Sequence, residues 1–298
     1  MAVQTVKATI NGQTYTLAYN GTSGKYEATL TAPTITSYNK IGGYYGVSVD
    51  VTDEAGNITT QTETNTDNRL VVKEIVAPVI SNISPSQDAR VTTSSPTITG
   101  TLLDETNGSG VNTATFVLKI DGVAVSNASV TFTPIANGYN FSCPATGLSQ
   151  GTHTFTVELS DNDGNAATLK STSVIVDTIA PSLSVSNPTN GYITNTAAIN
   201  VTGITSDETS NPITVTIKLN GVDQGLISLS AGAFSKGIAL AGGSNSIEVK
   251  ATDDAGLATT VTRTLTLDTV APVITSIELV PNPIDAGATY IIKVTATD

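Results

Sequence analysis

The sequence of 298 residues contains one cysteine, one histidine and no tryptophan, and aromatic residues make up only 5% of it. A single cysteine, Cys143, cannot form an internal disulfide framework. It lies in a strand-like stretch without a basic neighbour, so we expect a small buried side chain and not a reactive thiol. The scarcity of aromatic rings leaves few platforms for stacking on bases or sugars.

Charged residues are also scarce, and most of them are acidic. Charged residues make up 13% of the chain, and the formal net charge is −12. Such a chain has no electrostatic attraction for nucleic acid or for an anionic membrane. No apolar run approaches the ~18 residues of a membrane span, and the residues after Met1 lack the apolar stretch of a signal peptide. We therefore expect no nucleic acid as partner, no membrane insertion and no signal peptide.

Thr, Ser, Val, Ile, Asn and Gly dominate the sequence, and this composition favours strands and turns. Two features recur along the chain. An acidic turn occupies residues 53–57, 161–165 and 253–257, and a junction ending in Ala-Pro occupies residues 74–78, 177–181 and 268–272. The junction prolines are 103 and 91 residues apart, which suits repeated β-sandwiches of about 100 residues.

The stretch before each acidic turn alternates between apolar and polar residues. Its apolar positions are Val47, Val49 and Val51, then Phe155, Val157 and Leu159, then Ile247, Val249 and Ala251. A period of two with one apolar face predicts a half-buried antiparallel strand. Asn-Gly or Asp-Gly pairs at 11–12, 121–122 and 220–221 predict two-residue hairpin turns.

A third acidic position sets the register of the repeat. Asp104, Asp207 and Asp298 each lie 26 residues beyond a junction proline. With immunoglobulin strands lettered A to G, the spacing predicts four modules: a partial one at 1–76 (strands C–G), complete ones at 77–179 and 180–270, and a partial one at 271–298 (strands A–B). We expect an all-β chain of tandem immunoglobulin-like sandwiches that forms an elongated rod.

Two sequence patterns carry a family resemblance. The pattern Asp-x-Ala-Gly-Asn followed by Val-Asp-Thr-x-Ala-Pro, which residues 161–165 and 176–181 follow with Asp163 in place of the Ala, resembles the tandem bacterial Ig-like (Big-type) domains of large surface adhesins and phage tail proteins. Residues 5–15 resemble the start of Ig-like proteins encoded in Firmicute prophages. The resemblance covers essentially the whole chain. Leu257 and Glu74 depart from it, because they replace the Asn of an acidic turn and the Asp of a junction.

The sequence offers no catalytic base in a convincing setting, so we predict that the protein is not an enzyme. The single histidine, His153, occupies the position of Tyr45 and Asn245 in the other repeats. A general base is not interchangeable with Tyr and Asn, so a polar strand-end role is expected. Isopeptide bonds occur in some related adhesins, but Lys119 and Lys218 lie beside hairpin turns and are predicted to be solvated.

In an Ig-like sandwich the A strand begins at the end that carries the B–C and F–G loops, so the acids of these three segments should meet there. The predicted site residues of the second module are Glu74, Asp104, Glu105, Asp161 and Asp163, and those of the third are Asp177, Asp207, Glu208, Asp253 and Asp254. Oxygen ligands without thiolate or imidazole suit calcium best. The related adhesins also carry calcium at their joints. The alternative is that these acids are solvated and cap turn amides.

The resemblance implies a non-enzymatic structural or adhesive rod, located on a virion or on the cell surface. A tail-associated phage virion protein is the first hypothesis. The alternatives are the stalk of a cell-surface adhesin and an accessory region of a secreted carbohydrate-active enzyme. The expected partners are other virion or surface proteins, or a host receptor or glycan.

Head-to-tail self-association through residues 271–298 is a further expectation. These residues alternate apolar side chains, as at Tyr290, Ile292 and Val294, and cannot bury that face alone. Alternatively the chain is an excerpt of a longer protein, and the first module closes its sheet with its own residues, such as 70–73.

Overall fold

The protein is described by a computed structural model that covers residues 2–62 and 69–298. It divides into two compact units, residues 1–176 and 177–298. Within the described residues the only helical segments are two short 3-10 turns, Ile41–Gly43 and Asn127–Ser129. No helix there is long and apolar enough to cross a membrane. The predicted all-β class is confirmed.

The first unit begins with a single sheet, which we call the head sheet. Its strands are β1 (Val3–Ile10), β2 (Gln13–Asn20), β3 (Lys25–Glu27), β4 (Tyr45–Asp53), β5 (Ile58–Gln61) and β6 (Arg69–Leu70). The order is β3-β2-β1-β4-β5, and β6 pairs with β4 by placing Leu70 opposite Tyr45. Residues 63–68 lie outside the described residues.

The rest of the first unit is a complete Ig-like sandwich, sandwich one. Its strands are β7 (Val79–Ser84), β8 (Ala89–Val91), β9 (Thr97–Leu103), β10 (Val111–Ile120), β11 (Val123–Ala124), β12 (Thr131–Ile135), β13 (Gly138–Pro144), β14 (Gly151–Asp161) and β15 (Lys170–Val176). The two sheets have the orders β12-β13-β9-β7 and β11-β10-β14-β15-β8. In immunoglobulin lettering these are D-E-B-A and C′-C-F-G-A′.

The second unit repeats this plan in sandwich two. Its strands are β16 (Ser182–Asn187), β17 (Tyr192–Thr194), β18 (Ala198–Ser206), β19 (Thr214–Leu219), β20 (Val222–Asp223), β21 (Leu229–Ser230), β22 (Ala233–Ala239), β23 (Gly243–Thr252) and β24 (Ala258–Leu267). The sheets are β16-β18-β22-β21 (A-B-E-D) and β17-β24-β23-β19-β20 (A′-G-F-C-C′). A separate hairpin follows, formed by β25 (Val273–Val280) and β26 (Ile291–Thr297).

Each sandwich buries one apolar core between its sheets. The alternating residues predicted for strand F face inward: Phe155, Val157 and Leu159 are at most 3% exposed, and Ile247, Val249 and Ala251 are fully buried. Cys143 is fully buried in the core of sandwich one, and burial raises the pKa of its thiol. Its predicted role as a small buried side chain is confirmed.

The three predicted hairpin turns are also confirmed. Their first residues, Asn11, Asp121 and Asn220, have φ of 48°, 49° and 50°, and the following glycines have φ of 76°, 81° and 83°. Two positive φ angles in succession are the requirement of a type I′ turn, which matches the twist of the flanking strands. The boundaries of the four modules at residues 76, 179 and 270 stay a prediction.

Strand B of each sandwich contains a glycine where strand E approaches closely. A Cβ added to Gly100 would lie 2.5 Å from the ring of Phe141, and one added to Gly203 would lie 2.5 Å from the ring of Phe234. The absence of a side chain on strand B therefore makes room for a phenylalanine on strand E. This pairing of a glycine with a phenylalanine is a shared feature of both cores.

Candidate metal sites at the acidic clusters

Three separate segments bring carboxylates together at one end of sandwich one. Glu74 lies in the segment before strand A, Asp104 follows strand B, and Asp161 ends strand F. One carboxylate oxygen from each lies within 4.8 Å of the others. Asp104 is 7% exposed and Asp161 is 1% exposed. We call these residues, together with the adjacent Glu105, acidic cluster one.

One oxygen of each of two carboxylates fixes the B–C loop. Asp104 Oδ2 accepts a hydrogen bond from the amide of Gly110 at 2.7 Å, and Glu74 Oε1 accepts one from the amide of Ser109. Three oxygens of the cluster are buried without a hydrogen-bond partner in the described part of the chain: Glu74 Oε2, Asp104 Oδ1 and Glu105 Oε2. Each bound oxygen orients its carboxylate, so the unpartnered oxygen is held in place.

The neighbouring carboxylates influence the protonation of Glu105. Burial is the largest cause that raises the pKa of Glu105, and together with the contacts with Glu74 and Asp104 it brings this pKa to about 7. A carboxyl group that retains a proton near neutral pH shows that negative charge is crowded at this position. A bound cation would relieve the same crowding.

Asp161 is placed by its own acidic turn. Its Oδ1 accepts hydrogen bonds from the amides of Gly164 at 2.6 Å and Asn165 at 2.8 Å, and its Oδ2 accepts one from the side-chain amide of Asn165 at 2.7 Å. The Asp-x-x-Gly-Asn pattern therefore forms a closed turn in which the asparagine satisfies the second oxygen of the aspartate. Asp53 and Asn57 form the same contact, at 2.9 Å, in the head sheet.

Asp163 lies apart from the cluster. Its Oδ2 accepts hydrogen bonds from the hydroxyl of Thr36 at 2.5 Å and from the amide of Glu74 at 3.0 Å. The side chain of Asn39 also donates to the carbonyl of Gly108 at 2.7 Å. Asp163 thus connects sandwich one to the segment between β3 and β4 of the head sheet.

Sandwich two has an equivalent cluster, acidic cluster two, formed by Asp177, Asp207 and Asp253. Their carboxylate oxygens also lie within 4.8 Å of one another, and Asp177 is fully buried. Asp207 Oδ1 accepts hydrogen bonds from the amides of Thr209 and Ser210, both at 2.8 Å. Glu208 and Asp254, which the sequence also predicted, are exposed and lie outside the group of three.

Leu257 has a structural consequence in cluster two. It donates its backbone amide to Asp253 Oδ1 at 2.8 Å but has no side-chain amide for the second oxygen. Asp253 Oδ2 is accordingly buried without a hydrogen-bond partner in the described part of the chain, and Asp253 is only 6% exposed. The departure of Leu257 from the repeat therefore leaves an available ligand oxygen.

Sequence reasoning missed the residues that shape the loops around the carboxylates. A Cβ added to Gly108 would lie 2.6 Å from Asp104 Oδ2 and 2.8 Å from Glu74 Oε2. Only a glycine lets the backbone pass so close. In cluster two the hydroxyl of Ser210 donates to Asp177 Oδ2 at 2.5 Å. The serines that follow the B-strand acids in both repeats, and Gly108 in the first repeat, were the available signal.

His153, Lys119 and Lys218, which were considered for catalysis or for isopeptide bonds, each contact neighbouring groups of the fold. His153 is 7% exposed; its Nδ1 lies 2.6 Å from Asp121 Oδ2, and its Nε2 lies 2.9 Å from the carbonyl of Ser149. Both ring nitrogens are thus engaged at a strand end. Lys119 lies 2.6 Å from Glu158, and Lys218 lies 3.5 Å from Glu248. Both lysines are partly exposed, which confirms the expectation that they are solvated.

Comparison with known proteins agrees with the Ig-like class. A family profile described as glucodextranase, domain B, matches residues 181–269, which correspond to sandwich two. No protein of curated function matches the sequence. The chain is a tandem array of Ig-like β-sandwiches, as the sheet orders of both sandwiches show.

Solved structures with a similar fold come from several proteins. The fibronectin(III)-like modules of Clostridium thermocellum CbhA are 19% identical, with 63% of this chain and 94% of that chain covered and a TM-score of 0.38. A Ca2+-stabilized ice-binding adhesin of an Antarctic bacterium is 18% identical, with 91% of this chain and 67% of that chain covered and a TM-score of 0.34. Immunoglobulin domains 1–4 of Sidekick-1 are 13% identical, with 89% of this chain and 68% of that chain covered and a TM-score of 0.39. Because these identities and TM-scores are low, none of the likenesses carries a conclusion about ligand or partner.

Proposed function

We propose that the chain is a non-catalytic structural or adhesive component whose sandwiches are stabilised by calcium bound at acidic clusters one and two. The observation that carries the proposal is that three separate segments bring carboxylates together in each sandwich, and that some of their oxygens are buried without a hydrogen-bond partner in the described part of the chain: Glu74 Oε2 and Asp104 Oδ1 in cluster one and Asp253 Oδ2 in cluster two. A cation at each cluster would bind the segment before strand A to the B–C and F–G loops.

The charge balance of cluster one supports a cation. None of the carboxylates of Glu74, Asp104, Glu105 and Asp161 forms a salt bridge with a cationic side chain of residues 2–62 and 69–298. Burial of unpaired carboxylates is costly, and buried charges in proteins are therefore paired or coordinate metals. The solvated-acid alternative suits Glu208 and Asp254, which are exposed. Asp161 is buried and caps the amides of its own turn, whereas Asp104 is buried and keeps Oδ1 without a hydrogen-bond partner in the described part of the chain.

The donor set favours calcium among the common cations. Every candidate ligand is a carboxylate oxygen, and neither cluster contains a thiolate or an imidazole. Hard oxygen ligands select calcium or magnesium over zinc and copper. Ligands contributed by two loops and the segment before strand A suit calcium, which tolerates variable geometry better than magnesium does.

Calcium titration of the full chain by calorimetry tests this proposal, with thermal unfolding measured in calcium and in chelator. Two binding events are expected, each with a matched rise of the unfolding temperature. Asp104→Asn should remove one event and Asp253→Asn the other, whereas the control Glu208→Gln should keep both. Absence of heat and of any thermal shift in the unaltered chain would leave the solvated-acid interpretation.

A tail-associated phage virion protein is the setting we infer, because residues 5–15 resemble the start of prophage-encoded Ig-like proteins. The stalk of a cell-surface adhesin is an alternative that fits the repeated sandwiches equally well. The identity of the genes next to the one that encodes this chain would distinguish the virion from the cell surface. Tail and lysis genes would support the virion, and sortase and secretion genes would support the cell surface.

An accessory region of a secreted carbohydrate-active enzyme is a second candidate, favoured by the match of residues 181–269 to glucodextranase, domain B. A catalytic domain encoded in the same reading frame would support it. In that case the sandwiches would space or position the catalytic domain without taking part in the reaction.

A further inference from the structure

The β25–β26 hairpin exposes a face that is buried in the complete sandwiches. Ile274 and Ile292 are 61% and 58% exposed. Their counterparts at the same distances from the junction proline in sandwich one, Ile80 and Ile98, are 1% and 0% exposed. The opposite face of the hairpin carries the Glu278–Lys293 ion pair and the Ser276–Thr295 pair, with Ile291 and Val273 near its two ends. The hairpin therefore has the inward and outward faces of an A–B strand pair.

The hairpin also has an open edge on the side where a complete sandwich continues. Strand B pairs with both A and E in sandwich one and in sandwich two. Among the described residues β26 pairs only with β25. An unpaired strand edge next to an exposed apolar face favours the addition of a further strand.

In the described part of the first unit, the head sheet lacks the strands that the hairpin resembles. It has the C, C′, F and G strands of a sandwich but no second sheet among its described residues. Residues 28–34 belong to no strand, and no backbone group in them makes a hydrogen bond to the described part of the chain. All of them except Thr29 line a cavity of about 560 Å³ together with Ile10, Tyr15, Tyr45 and Leu70. Residues 28–34 thus cover one side of the sheet face without pairing.

Side-chain sizes on the two surfaces are compatible. Both complete sandwiches combine a glycine on strand B with a phenylalanine on strand E, as Gly100 and Phe141 do. The hairpin has Val294 at the position of Gly100, so an E strand beside it cannot carry a phenylalanine there. Residues 28–34 contain no aromatic side chain. A larger residue on B and smaller residues on the partner strand can fill the same space.

We propose that the β25–β26 hairpin of one copy docks on the head sheet of a second copy, where β26 pairs with residues 28–34 and Ile274 and Ile292 cover the apolar sheet face. The contact joins two different surfaces, so it is heterologous and leaves a free hairpin and a free head sheet at the ends of every dimer. Repetition then produces open chains or rings.

Sedimentation and light scattering of the full chain over a range of concentrations test the proposal. The mean mass should rise with concentration in the unaltered protein. Ile292→Asp places a charge on the apolar face of the hairpin, and Leu30→Asp places one in the cavity of the head sheet. Each variant should stay monomeric. The controls Thr295→Asp, on the face of β26 that carries Lys293, and Thr29→Asp, outside the cavity lining, should associate as the unaltered chain does.

Mixing the two monomeric variants gives the sharpest outcome. Ile292→Asp retains an intact head sheet and Leu30→Asp retains an intact hairpin, so an equimolar mixture should form dimers and nothing larger. A monomeric unaltered chain at high concentration overturns the proposal. So does association that Ile292→Asp abolishes but Leu30→Asp does not, because that pattern indicates pairing between two hairpins. Circular dichroism and thermal unfolding confirm that each variant remains folded.

Discussion

Sandwich one and sandwich two have the same strand order in both sheets but different side chains at equivalent positions. Where the start of strand F meets the turn after strand C, His153 and Asp121 of sandwich one correspond to Asn245 and Asn220 of sandwich two. The two pairs make matching contacts: Nδ1 of His153 lies 2.6 Å from Asp121, and the side chain of Asn220 donates to Asn245 at 3.0 Å. The backbone needs a polar bridge here, and a charged or a neutral pair provides it.

The acidic clusters differ in a similar way. Cluster one satisfies both oxygens of Asp161 through Asn165 and leaves other oxygens unpartnered, whereas cluster two leaves Asp253 Oδ2 unpartnered because of Leu257. Glu105 joins cluster one, but its counterpart Glu208 is exposed. The clusters therefore share a location and a ligand type but not a set of available oxygens.

The largest expected difference between the sandwiches lies in their cores. Phe155 and Ile247 occupy equivalent positions of strand F and are 1% and 0% exposed. Phe155→Ala should lower the free energy of unfolding by about 3–5 kcal/mol, and Ile247→Ala by about 2–5 kcal/mol, because each leaves a cavity. Urea unfolding should place each loss in the transition of its own sandwich. Thr154→Ala, an exposed neighbour, serves as control, and a loss no larger than that of the control would contradict the expectation.

Exchange of one residue between the acidic turns should invert the difference between the clusters. Leu257→Asn supplies an amide to Asp253 Oδ2, so sandwich two should gain about 1 kcal/mol in chelator and bind calcium more weakly. Asn165→Leu should have the opposite effects on sandwich one, because it removes the amide from Asp161 Oδ2. Thermal unfolding with calcium and with chelator measures both. Parallel shifts of the two variants would show that the asparagine does not control the ligand oxygens.

The pKa of Glu105 predicts a pH dependence that is specific to sandwich one. Its pKa is raised from 4.5 to about 7, so the folded state retains a proton that the unfolded state loses. In chelator the stability should therefore fall as the pH rises between these two values. Glu105→Gln should remove this slope, and calcium should also suppress it. Glu208→Gln, in the exposed counterpart, should leave the pH profile unchanged, and a slope that survives Glu105→Gln would refute the assignment.

The sequence predicts the strand positions well because each sandwich repeats its hydrophobic alternation and its turns. The hairpin turns at Asn11, Asp121 and Asn220 follow from local chemistry, since Asn-Gly and Asp-Gly accept positive φ. The convergence of Glu74, Asp104 and Asp161 follows from the topology of an Ig-like sandwich once the register is known. Such features depend on backbone connectivity, which the repeated spacing of turns and acids in the sequence predicts.

Side-chain direction within the loops is less predictable. Asp163 lies in the same acidic turn as Asp161, but it faces Thr36 of the head sheet, and no pattern in the repeat indicates this contact. Glu105 and Glu208 occupy equivalent positions but differ in burial. The difference depends on how closely Gly108 lets the loop approach Glu74. These outcomes depend on distances of a few ångströms between segments that are far apart in sequence.

The smallest expected effect concerns the polar pair at the start of strand F. Burial lowers the pKa of His153, but the hydrogen bonds to Asp121 and Ser149 and the charge of Asp121 outweigh it, so the pKa of His153 is raised above 6.5. A raised histidine pKa contributes stability that is complete below the unfolded value and disappears as the pH rises through the folded value. The contribution should be about 1 kcal/mol, because the Asp121 side chain is 48% exposed.

The double variant Asp121→Asn/His153→Asn installs the neutral pair of sandwich two in sandwich one. We expect it to remove the loss of stability above pH 6.5 while leaving the stability at high pH almost unchanged, since Asn220 and Asn245 bridge the same strands without charge. The reciprocal variant Asn220→Asp/Asn245→His should give sandwich two the pH dependence that sandwich one has lost. Urea unfolding between pH 5 and 9 measures both. If the first exchange lowers stability equally at every pH, the two pairs are not interchangeable and His153 has a packing role that Asn cannot fill.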